Sequence, residues 1–485
     1  MRSGNGMRAA LLILAAALSW SRPALCAERY VAVTGSDAGP GTEARPWRTV
    51  RKAAATAVAG DTVYVKNGTY FERVVFRNSG TPGRRIIFKP SPGHSPVLSG
   101  RDKAQWDGFV NLSGVDYVRL EGFTITNCPK GQAVYVINAG TDPATHIELK
   151  KLTISHVADS PVQIRGNASH ILVEGCTIHD CGASGVDVSH FKGGRPHHVT
   201  IASNTIYKSK FAGVGSEVAD DLVVERNTVY DSSIGIDIGS GRRNVIRGNT
   251  IHHCSDGIAL SSNTDSRVHD NVVHDVKEAM YAYFWIANGQ PHANNRWYRN
   301  VVYNATWGLW EMNRKSKKHG TGPSSGHEYF NNLFYDIGGN PGYRSPFWFR
   351  GITDFRFYNN TIHLKPGHDA IELTESSRGA VIRNNIVCMS GRAAAVDING
   401  GSEASVDHNC YWNARGSAKK AGRHDIVGDP AFEDPAGGDF RLKAGSPCID
   451  SGAEVEGLKD DLERAPRPRG RGPDMGAFER SVPGR

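Results

Sequence analysis

Short runs of alternating apolar and polar residues recur along the chain, and their order within each unit is the same. A unit contains a strand, a turn asparagine, a second strand, a short polar stretch and a Gly-apolar-x-apolar strand, as in VTIASNTIYKSKFAGVGS and NVIRGNTIHHCSDGIALS. Because strand side chains alternate between two faces, the apolar positions of each run face a core and the position x faces outward. The turn asparagines are Asn204, Asn227, Asn249, Asn271, Asn300, Asn332, Asn360, Asn385 and Asn409.

The spacing of these units predicts an all-β solenoid. Phe123, Leu152 and Cys176 hold the asparagine position in three earlier units, which gives a period of about 26 residues. Three short strands per period are typical of a right-handed parallel β-helix, whose coils stack about 4.8 Å apart. Leucine-rich repeats share the period but need a leucine-and-helix unit that is absent here. We therefore expect about 12 or more coils, with a ladder of stacked asparagine amides and a left-handed backbone at the turn.

The N-terminus has the pattern of a secretory signal peptide. Arg2 and Arg8 precede a short apolar run, and small residues before Glu28 predict cleavage after residue 27. The run is too short to span a bilayer. A lipoprotein signal at Cys26 is the alternative, but Leu25 is bulky where a small residue is expected. The sequence predicts a secreted protein, extracellular or periplasmic, that is monomeric and has no membrane span.

The rest of the chain divides into three predicted parts. Residues 28–100 should form an N-terminal cap and the first coils, with a capping helix in WRTVRKAAATAV, residues 47–58. Residues 101–415 should form the β-helix. Residues 416–485, which are rich in proline, glycine and arginine, should pack along it as an extended tail.

Charge and cysteine content narrow the classes of partner. The formal net charge is +8, and the first 27 residues hold three arginines and no acid, so a cleaved chain would carry +5. A modest basic excess favours an anionic partner such as a uronate polysaccharide. Nucleic acid is not expected, because the chain has no recognisable binding module. Seven cysteines remain beyond Cys26, with neither disulfide-framework nor zinc spacing, which favours buried free thiols.

The outward position x predicts a carbohydrate-type groove. Small residues leave space, aromatic rings stack on sugars, and carboxylates bind hydroxyl groups or calcium or transfer protons. Asp187 and Asp237 should lie two coils apart, with backbones about 9.6 Å from each other. Coil by coil, x is Tyr135, Gln163, Asp187, Gly215, Asp237, Ala259, Tyr281, Trp310, Trp348, Glu372 and Asp397.

Insertions after this strand are expected to wall the groove with basic residues. Long segments leave the chain at residues 190–198, 285–296 and 313–327, and in repeat proteins insertions on one face often mark the working face. The residues three positions after each turn asparagine form a second column. Its regularity predicts a structural ladder. It comprises His179, Tyr207, Tyr230, His252, His274, Tyr303, Tyr335 and His363.

Both ends of the mature chain resemble known secreted proteins. The opening YVAVTGSDAGPGTEARPWRTVRKAAATAVAGDTVYVKNGTY resembles the start of lyases of polysaccharide lyase family nine, and SPCIDSG…PDMGAFE resembles tails of secreted bacterial β-helix proteins. The resemblance implies a lysine base and a cluster of aspartates that holds calcium. Asp187 in GASGVDVSH takes one aspartate position, whereas the accompanying aspartate pair is absent and Gly215 stands where a lysine is wanted.

Three functions remain open from the sequence. A lyase acting on an acidic polysaccharide needs a base for the proton α to a uronate carboxyl and a cation for that carboxyl. An inverting glycoside hydrolase would use Asp187 and Asp237. A non-catalytic glycan-binding or envelope protein would use the groove alone. The candidate catalytic residues are Asp187, Asp237, Tyr281, His190 and Arg314, with Asp187 as the calcium ligand; the candidate substrate-binding residues are Trp310, Trp348, Tyr135, Lys192, Arg195, His197 and Glu372.

Overall fold

Three parallel strand ladders wind the chain into a solenoid. The computed structural model describes residues 26–101, 107–138, 144–283, 291–313, 324–338, 345–367, 369–389, 394–413 and 422–480. Within these residues, 44 strands form one continuous sheet and two further strands form an antiparallel hairpin. The signal-peptide prediction falls almost entirely outside the described residues.

Successive strands of one coil enter the three ladders in turn. Ladder 1 contains Glu28–Val31, Thr62–Val65, Ile86–Pro90, Val118–Glu121, Glu148–Lys150, Ser169–Glu174, His197–Ala202, Val223–Glu225, Val245–Arg247, Arg267–His269, Arg296–Tyr298, Glu328–Phe330, Arg356–Tyr358, Ala380–Arg383 and Ala404–Asp407. Ladder 2 contains Thr69–Tyr70, Val97–Ser99, Thr124–Cys128, Thr153–Val157, Thr177–Cys181, Thr205–Ser209, Thr228–Tyr230, Thr250–His252, Val272–Tyr283, Val301–Met312, Leu333–Ile337, Thr361–Leu364, Ile386–Met389, Cys410–Asn413 and Ile426–Val427.

Ladder 3 follows ladder 2 in each coil and carries the outward position x. It contains Val74–Val75, Val110–Asn111, Val134–Asn138, Val162–Gly166, Val186–Ser189, Ala212–Asp220, Ile234–Arg242, Asp256–Leu260, Phe347–Arg350, Ile371–Thr374 and Val396–Ile398, together with the second halves of Val272–Tyr283 and Val301–Met312. Short strands at Asn263–Thr264, His292–Ala293 and Ser324–Ser325 widen the middle coils.

A single described helix covers the open first coil. It spans Val50–Thr56, shorter than predicted, and begins where the side chain of Thr49 accepts a hydrogen bond from the backbone N–H of Lys52. Its residues Val50 and Ala53 are buried. With seven residues it is too short to cross a bilayer. The helix therefore supplies the cap that a solenoid needs over its exposed core.

The turn asparagines form the predicted ladder inside the rod. Asn271 illustrates the arrangement, because its backbone N–H and its side-chain amide both donate to Oδ1 of Asn300, at 3.1 and 3.0 Å. Each amide also donates to a carbonyl of an earlier coil, as Asn300 does to Val268. One detail of the prediction is wrong: the left-handed residue is the one before each asparagine, such as Asp270 with φ 56° and Arg299 with φ 53°.

The second predicted column is a structural stack. The rings of His179 and Tyr207 lie 4.8 Å apart and nearly parallel, and the stacking continues from coil to coil as far as Tyr335. Phe440 of the tail packs against the rings of Tyr335 and His363 and ends the column. This column therefore stabilises the rod.

The C-terminal segment packs on the asparagine corner rather than on ladder 3. It contains the hairpin Phe432–Asp434 and Asp439–Leu442, a 3₁₀ turn at Pro435–Gly437, and irregular chain to residue 480. The side-chain amide of Asn359 donates to the carbonyl of Asp474, and the backbone N–H of Gly476 donates to the carbonyl of Asn384. A buried ion pair between Arg467 and Glu479 holds this segment to itself. Ladder 3 consequently keeps its outward face free of the tail.

Candidate functional site

All eleven residues predicted at position x lie in one column of ladder 3. The register joins Tyr135 to Gln163 and Asp187, and Asp187 through Gly215 to Asp237. It continues through Ala259, Tyr281, Trp310, Trp348 and Glu372 to Asp397. The repeat therefore places both aspartates and the aromatic residues on one side of the rod.

A cleft of about 790 Å³ opens over the middle of this column. Gly215 lines the cleft floor, where a side chain would not fit, since a Cβ atom there would lie 2.7 Å from Oγ of Ser184. Among the described residues, the lining holds acidic, small and aromatic side chains but no lysine or arginine. The lining residues are Asp187, Phe211, Gly215, Ser216, Glu217, Val218, Asp237, Gly239, Ser240, Ser261, Glu278, Tyr281 and Trp310.

Asp187 sits at one end of the cleft in a fixed orientation. Its Oδ2 accepts hydrogen bonds from Nε2 of Gln163 and from Oγ of Ser189, both at 2.9 Å. Burial raises the pKa of Asp187 above its ordinary value, while the two donors act in the opposite direction. The two donors hold one oxygen of the carboxyl group, which leaves the other as the atom that can act on a ligand.

Asp237 lies two coils further along and has the more strongly altered acidity. Burial, reinforced by the negative charge of Asp256, raises the pKa of Asp237 to about 6. The pKa of Asp256 is itself raised by burial. A carboxyl group of this kind retains its proton in weakly acidic solution and can donate it.

Tyr281 and Trp310 form a rigid aromatic pair at the other end of the cleft. Their rings stack at 4.8 Å with an angle of 5° between the planes. The hydroxyl group of Tyr281 donates to Asp256 at 3.3 Å, and Nε1 of Trp310 donates to Glu278 at 3.1 Å. Because the neighbouring residue Ala259 is small, the open face of the Tyr281 ring borders the cleft.

The environment of Tyr281 alters the acidity of its phenol. Burial, and then the charges of Asp256 and Asp237, raise the pKa of the Tyr281 phenol well above its ordinary value. A phenol held in its protonated form donates hydrogen bonds and does not remove protons at neutral pH. The structure therefore favours Tyr281 as a binding residue.

The structure also corrects the role predicted for Tyr135. Its side chain is only 8% exposed, because the backbone of Gly108 lies directly against it. A buried ring cannot stack on a substrate. Trp348 and Glu372 remain partly exposed in the column, and Nε1 of Trp348 donates to Oγ1 of Thr374 at 3.0 Å.

The predicted basic wall is not present in the described part of the cleft. Arg195 pairs with Asp220 at 3.0 Å, and His197 belongs to ladder 1, where it pairs with Ser169. Lys192 lies over the ring of its neighbour Phe191. His190 reaches the rim, where Nδ1 lies 2.9 Å from Oε2 of Glu217. Arg314 lies outside the described residues, as do 285–290 and 315–323 of the predicted loops.

The cleft carboxylates do not fit a calcium ion held by Asp187 and Asp237 together. Calcium–oxygen distances of 2.3–2.6 Å need ligand oxygens within about 5 Å of one another, whereas backbones two coils apart are separated by about 9.6 Å. Among the described residues, three or more ligand atoms converge within 4.8 Å at two places, and neither includes a cleft residue. One of the two oxygens of Asp187 is also occupied by two donors.

Two further lining residues, Glu217 and Glu278, escaped the sequence reasoning, as did Asp256, which contacts Tyr281. Asp256 and Glu278 lie three residues before x in their coils, and Glu217 lies two residues after it. A signal was available: Asp256 immediately precedes the Gly-apolar-x-apolar strand, and Glu278 occupies the matching place one coil later. Reading only the position x omitted the neighbouring outward column.

A buried polar cluster lies behind the aromatic pair. Glu311 faces inward next to Trp310 and accepts hydrogen bonds from the hydroxyl groups of Ser324 and Tyr329. Nε2 of His327 lies 3.2 Å and Nε2 of His292 3.6 Å from Oε1 of Glu311, and all three side chains are buried.

This cluster does not fit a metal ion. Backbone N–H groups of Asn263 and Asn295 donate to Nδ1 of His292 and of His327, at 3.1 and 3.2 Å. A ring whose Nδ1 accepts a hydrogen bond carries its proton on Nε2, the atom that a metal would need. Burial lowers the pKa of His292 to about 3, and the facing histidines and hydroxyl groups lower that of Glu311 despite its burial.

We expect this cluster to destabilise the fold in acid. Below pH 6.5 the unfolded chain protonates His292 while the folded chain does not, so the free energy of unfolding falls as the pH falls from about 6.5. Glu311 adds to the loss below about pH 4.5, since its pKa is also lowered by folding. Thermal melting between pH 7 and 5 should show a smaller decrease for His292→Asn than for wild type. The exposed His253→Asn is the control, and equal acid sensitivity of all three proteins would refute the assignment.

Comparisons with known proteins define the class. Residues 29–180 match the family model described as Pel9A-like, right handed beta helix region, and residues 191–321 match the model of the right handed beta helix region. The chain is therefore a right-handed parallel β-helix protein, as its repeat predicts. Its N-terminal third is similar to the Pel9A-like proteins, which confirms the resemblance to pectate-lyase-like β-helices.

Individual relatives cover only parts of the chain. Protein YwoF of Bacillus subtilis, which is uncharacterized, is 24% identical over 44% of this chain and 58% of its own length. Pectate lyase PEL9 of Emericella nidulans is 26% identical over 31% of this chain and 38% of its own length. The structure of a lacto-N-biosidase from Eubacterium ramulus is similar with a TM-score of 0.54 and 15% identity, covering 64% of each chain. At this identity the structural likeness shows the fold alone.

Proposed function

We propose that the chain is an inverting glycoside hydrolase that acts on an uncharged glycan. The observation that carries the proposal is the placement of Asp187 and Asp237 in one cleft, two coils apart, with Gly215 between them. Backbones separated by about 9.6 Å are compatible with carboxyl groups roughly 6.5–9.5 Å apart, the separation that leaves room for a water molecule in inverting enzymes.

The environments of the two aspartates favour different roles. Asp237, with a pKa of about 6, is the general acid that protonates the leaving oxygen. Asp187, oriented by Gln163 and Ser189, is the general base that takes a proton from water. The cleft that both carboxyl groups line is the place for that water. The proton lost by Asp237 and the proton gained by Asp187 balance, and solvent exchange restores both groups.

The charge of the cleft favours a neutral substrate. Four carboxyl groups line it, and the described lining contains no cation to offset a uronate. Like charges in a partly buried cleft repel a polyanion. The open face of Tyr281, held by its stacking on Trp310, supplies a flat apolar surface for a sugar ring.

A lyase acting on an acidic polysaccharide is the second candidate, and the match to the Pel9A-like model favours it. That match ends at residue 180, however, before the first residue of the cleft. A lyase would also need a cation for the uronate carboxyl, and the described lining residues include no lysine or arginine.

Product analysis distinguishes the candidates. The protein should be incubated with a panel of neutral polysaccharides and with pectate and alginate, while reducing ends and ultraviolet absorbance are followed. New reducing ends without an unsaturated, absorbing product, and of inverted anomeric configuration by NMR, are the expected result. An absorbing product from a uronate polymer would establish the lyase instead. Binding of a glycan without any product would overturn both enzymatic proposals.

A further inference from the structure

A second cluster of chemically reactive side chains lies at the C-terminal end of the rod, away from the cleft. Asp407 ends the last strand of ladder 1, and His408 follows in the left-handed conformation with φ 55°. The next residue, Asn409, donates to Asp425 and so ends the amide ladder. His424 precedes Asp425 as His408 precedes Asn409. The two histidines therefore hold the same position on successive levels, and their rings stack at 4.6 Å.

The two rings converge on one carboxylate. Nδ1 of His424 lies 2.8 Å, and Nδ1 of His408 3.2 Å, from the same Oδ2 atom of Asp407. The backbone N–H of His424 donates to the other oxygen, Oδ1, at 2.7 Å and so fixes the carboxylate. Metal–ligand bonds of about 2.0–2.2 Å place neighbouring ligand atoms about 3 Å apart, which agrees with these separations.

The ring nitrogens here are compatible with a metal ion, unlike those of the cluster around Glu311. In that cluster backbone N–H groups donate to Nδ1, so the inward-facing Nε2 carries a proton. In the present cluster Nδ1 itself faces the carboxylate, and Nδ1 of His408 is buried without a hydrogen-bond partner in the described structure. The His424 side chain is 53% exposed, so its ring can keep a proton on Nε2 and donate it to water.

The type of residue that precedes the turn asparagine changes at this point in the chain. The three preceding corner residues, Asn331, Asn359 and Asn384, donate their side-chain amides to backbone carbonyls of the tail. The next two levels carry His408 and His424 instead. A repeat that is interrupted by two histidines around an aspartate indicates a local function for those residues.

We propose that Asp407, His408 and His424 bind a divalent transition-metal ion of the zinc class, with water completing the coordination. Two imidazole nitrogens and one carboxylate oxygen suit zinc, cobalt or nickel and disfavour calcium and magnesium, which prefer oxygen ligands. The ion connects the last coil to the segment that follows residue 421. Because the three ligands are brought together only by folding, the bound ion stabilises the C-terminal edge of the folded rod.

Metal titration of the full chain tests the proposal. The chelator-treated protein should be titrated with Zn²⁺ by calorimetry at pH 7.5, and with Co²⁺ by visible absorption. We expect the tightest site to disappear in the double variant His408→Ala/His424→Ala and to weaken at least tenfold in Asp407→Asn. One equivalent of Zn²⁺ should raise the melting temperature of wild type and leave that of the double variant unchanged, whereas Ca²⁺ should raise neither.

Two comparisons keep the result interpretable. The pair His252→Ala/His253→Ala removes adjacent histidines whose Nδ1 atoms lie 2.7 Å apart elsewhere on the rod, and it should retain the site. The exposed His424→Ala alone should melt like wild type without metal, which separates loss of binding from misfolding. Wild-type affinity and stoichiometry in the double variant, or absence of any Zn²⁺-dependent rise in wild type, would overturn the proposal.

Discussion

Asp237→Asn is expected to lower kcat of the proposed hydrolase by about 10²–10⁴-fold, since an amide cannot donate the proton that the leaving oxygen needs. The fold should be unaffected, because asparagine has the same shape and removes a repulsion with Asp256. Asp231→Asn, on an exposed aspartate of the same coil, is the matched control and should retain wild-type activity. Activity should be followed with the glycan that the product screen identifies.

The dependence of activity on pH provides a second test of Asp237 as the general acid. Because the pKa of Asp237 is raised to about 6, activity should decline as the pH rises through about 6, where the acid loses its proton. It should also decline in stronger acid, as Asp187, whose pKa is raised less markedly, becomes protonated. An Asp237→Asn variant with wild-type kcat, or one that keeps the alkaline limb of the profile, would eliminate Asp237 as the general acid.

Asn300→Leu is expected to lower the free energy of unfolding by about 3–5 kcal/mol, as each buried polar group left unpaired costs roughly 1–3 kcal/mol. The variant removes the acceptor of two donors on Asn271 and the donor to the carbonyl of Val268. Leucine has a similar shape to asparagine, so the loss of hydrogen bonds dominates over any cavity.

Denaturant unfolding followed by circular dichroism measures this loss. Asn304→Gly, at an exposed asparagine four residues later whose left-handed backbone (φ 49°) suits glycine, is the control and should change stability by about 0.5 kcal/mol or less. Equal stability of the two variants would mean that the amide ladder contributes little to the fold.

The sequence predicts the architecture and the groove column because both follow from periodicity. A recurring turn asparagine sets the coil length, and equal coil lengths fix which residues are neighbours on ladder 3. The register from Asp187 through Gly215 to Asp237 therefore needs no knowledge of distant contacts. The stacked column from His179 to Tyr335 follows from the same regularity.

Features that depend on side-chain pairing or on distant segments do not follow from periodicity. Arg195 lies in a basic loop, but its charge is directed to Asp220 on the next coil. Tyr135 is buried by Gly108, which belongs to a different coil. The acids Asp256 and Glu278 act on the aromatic pair across coils, through hydrogen bonds that a single column does not reveal.

The end of the asparagine ladder limits how long the rod can become. Each asparagine side chain in the ladder both donates and accepts hydrogen bonds. The carboxylate of Asp425 only accepts them, from Asn409 and from the backbone N–H of Gly422. Its carboxylate has no N–H to offer to a further coil, whether from this chain or from another molecule. Exposed ends of parallel sheets invite fibre-like growth, and a terminus that offers only acceptor oxygens opposes end-to-end polymerisation of the rod.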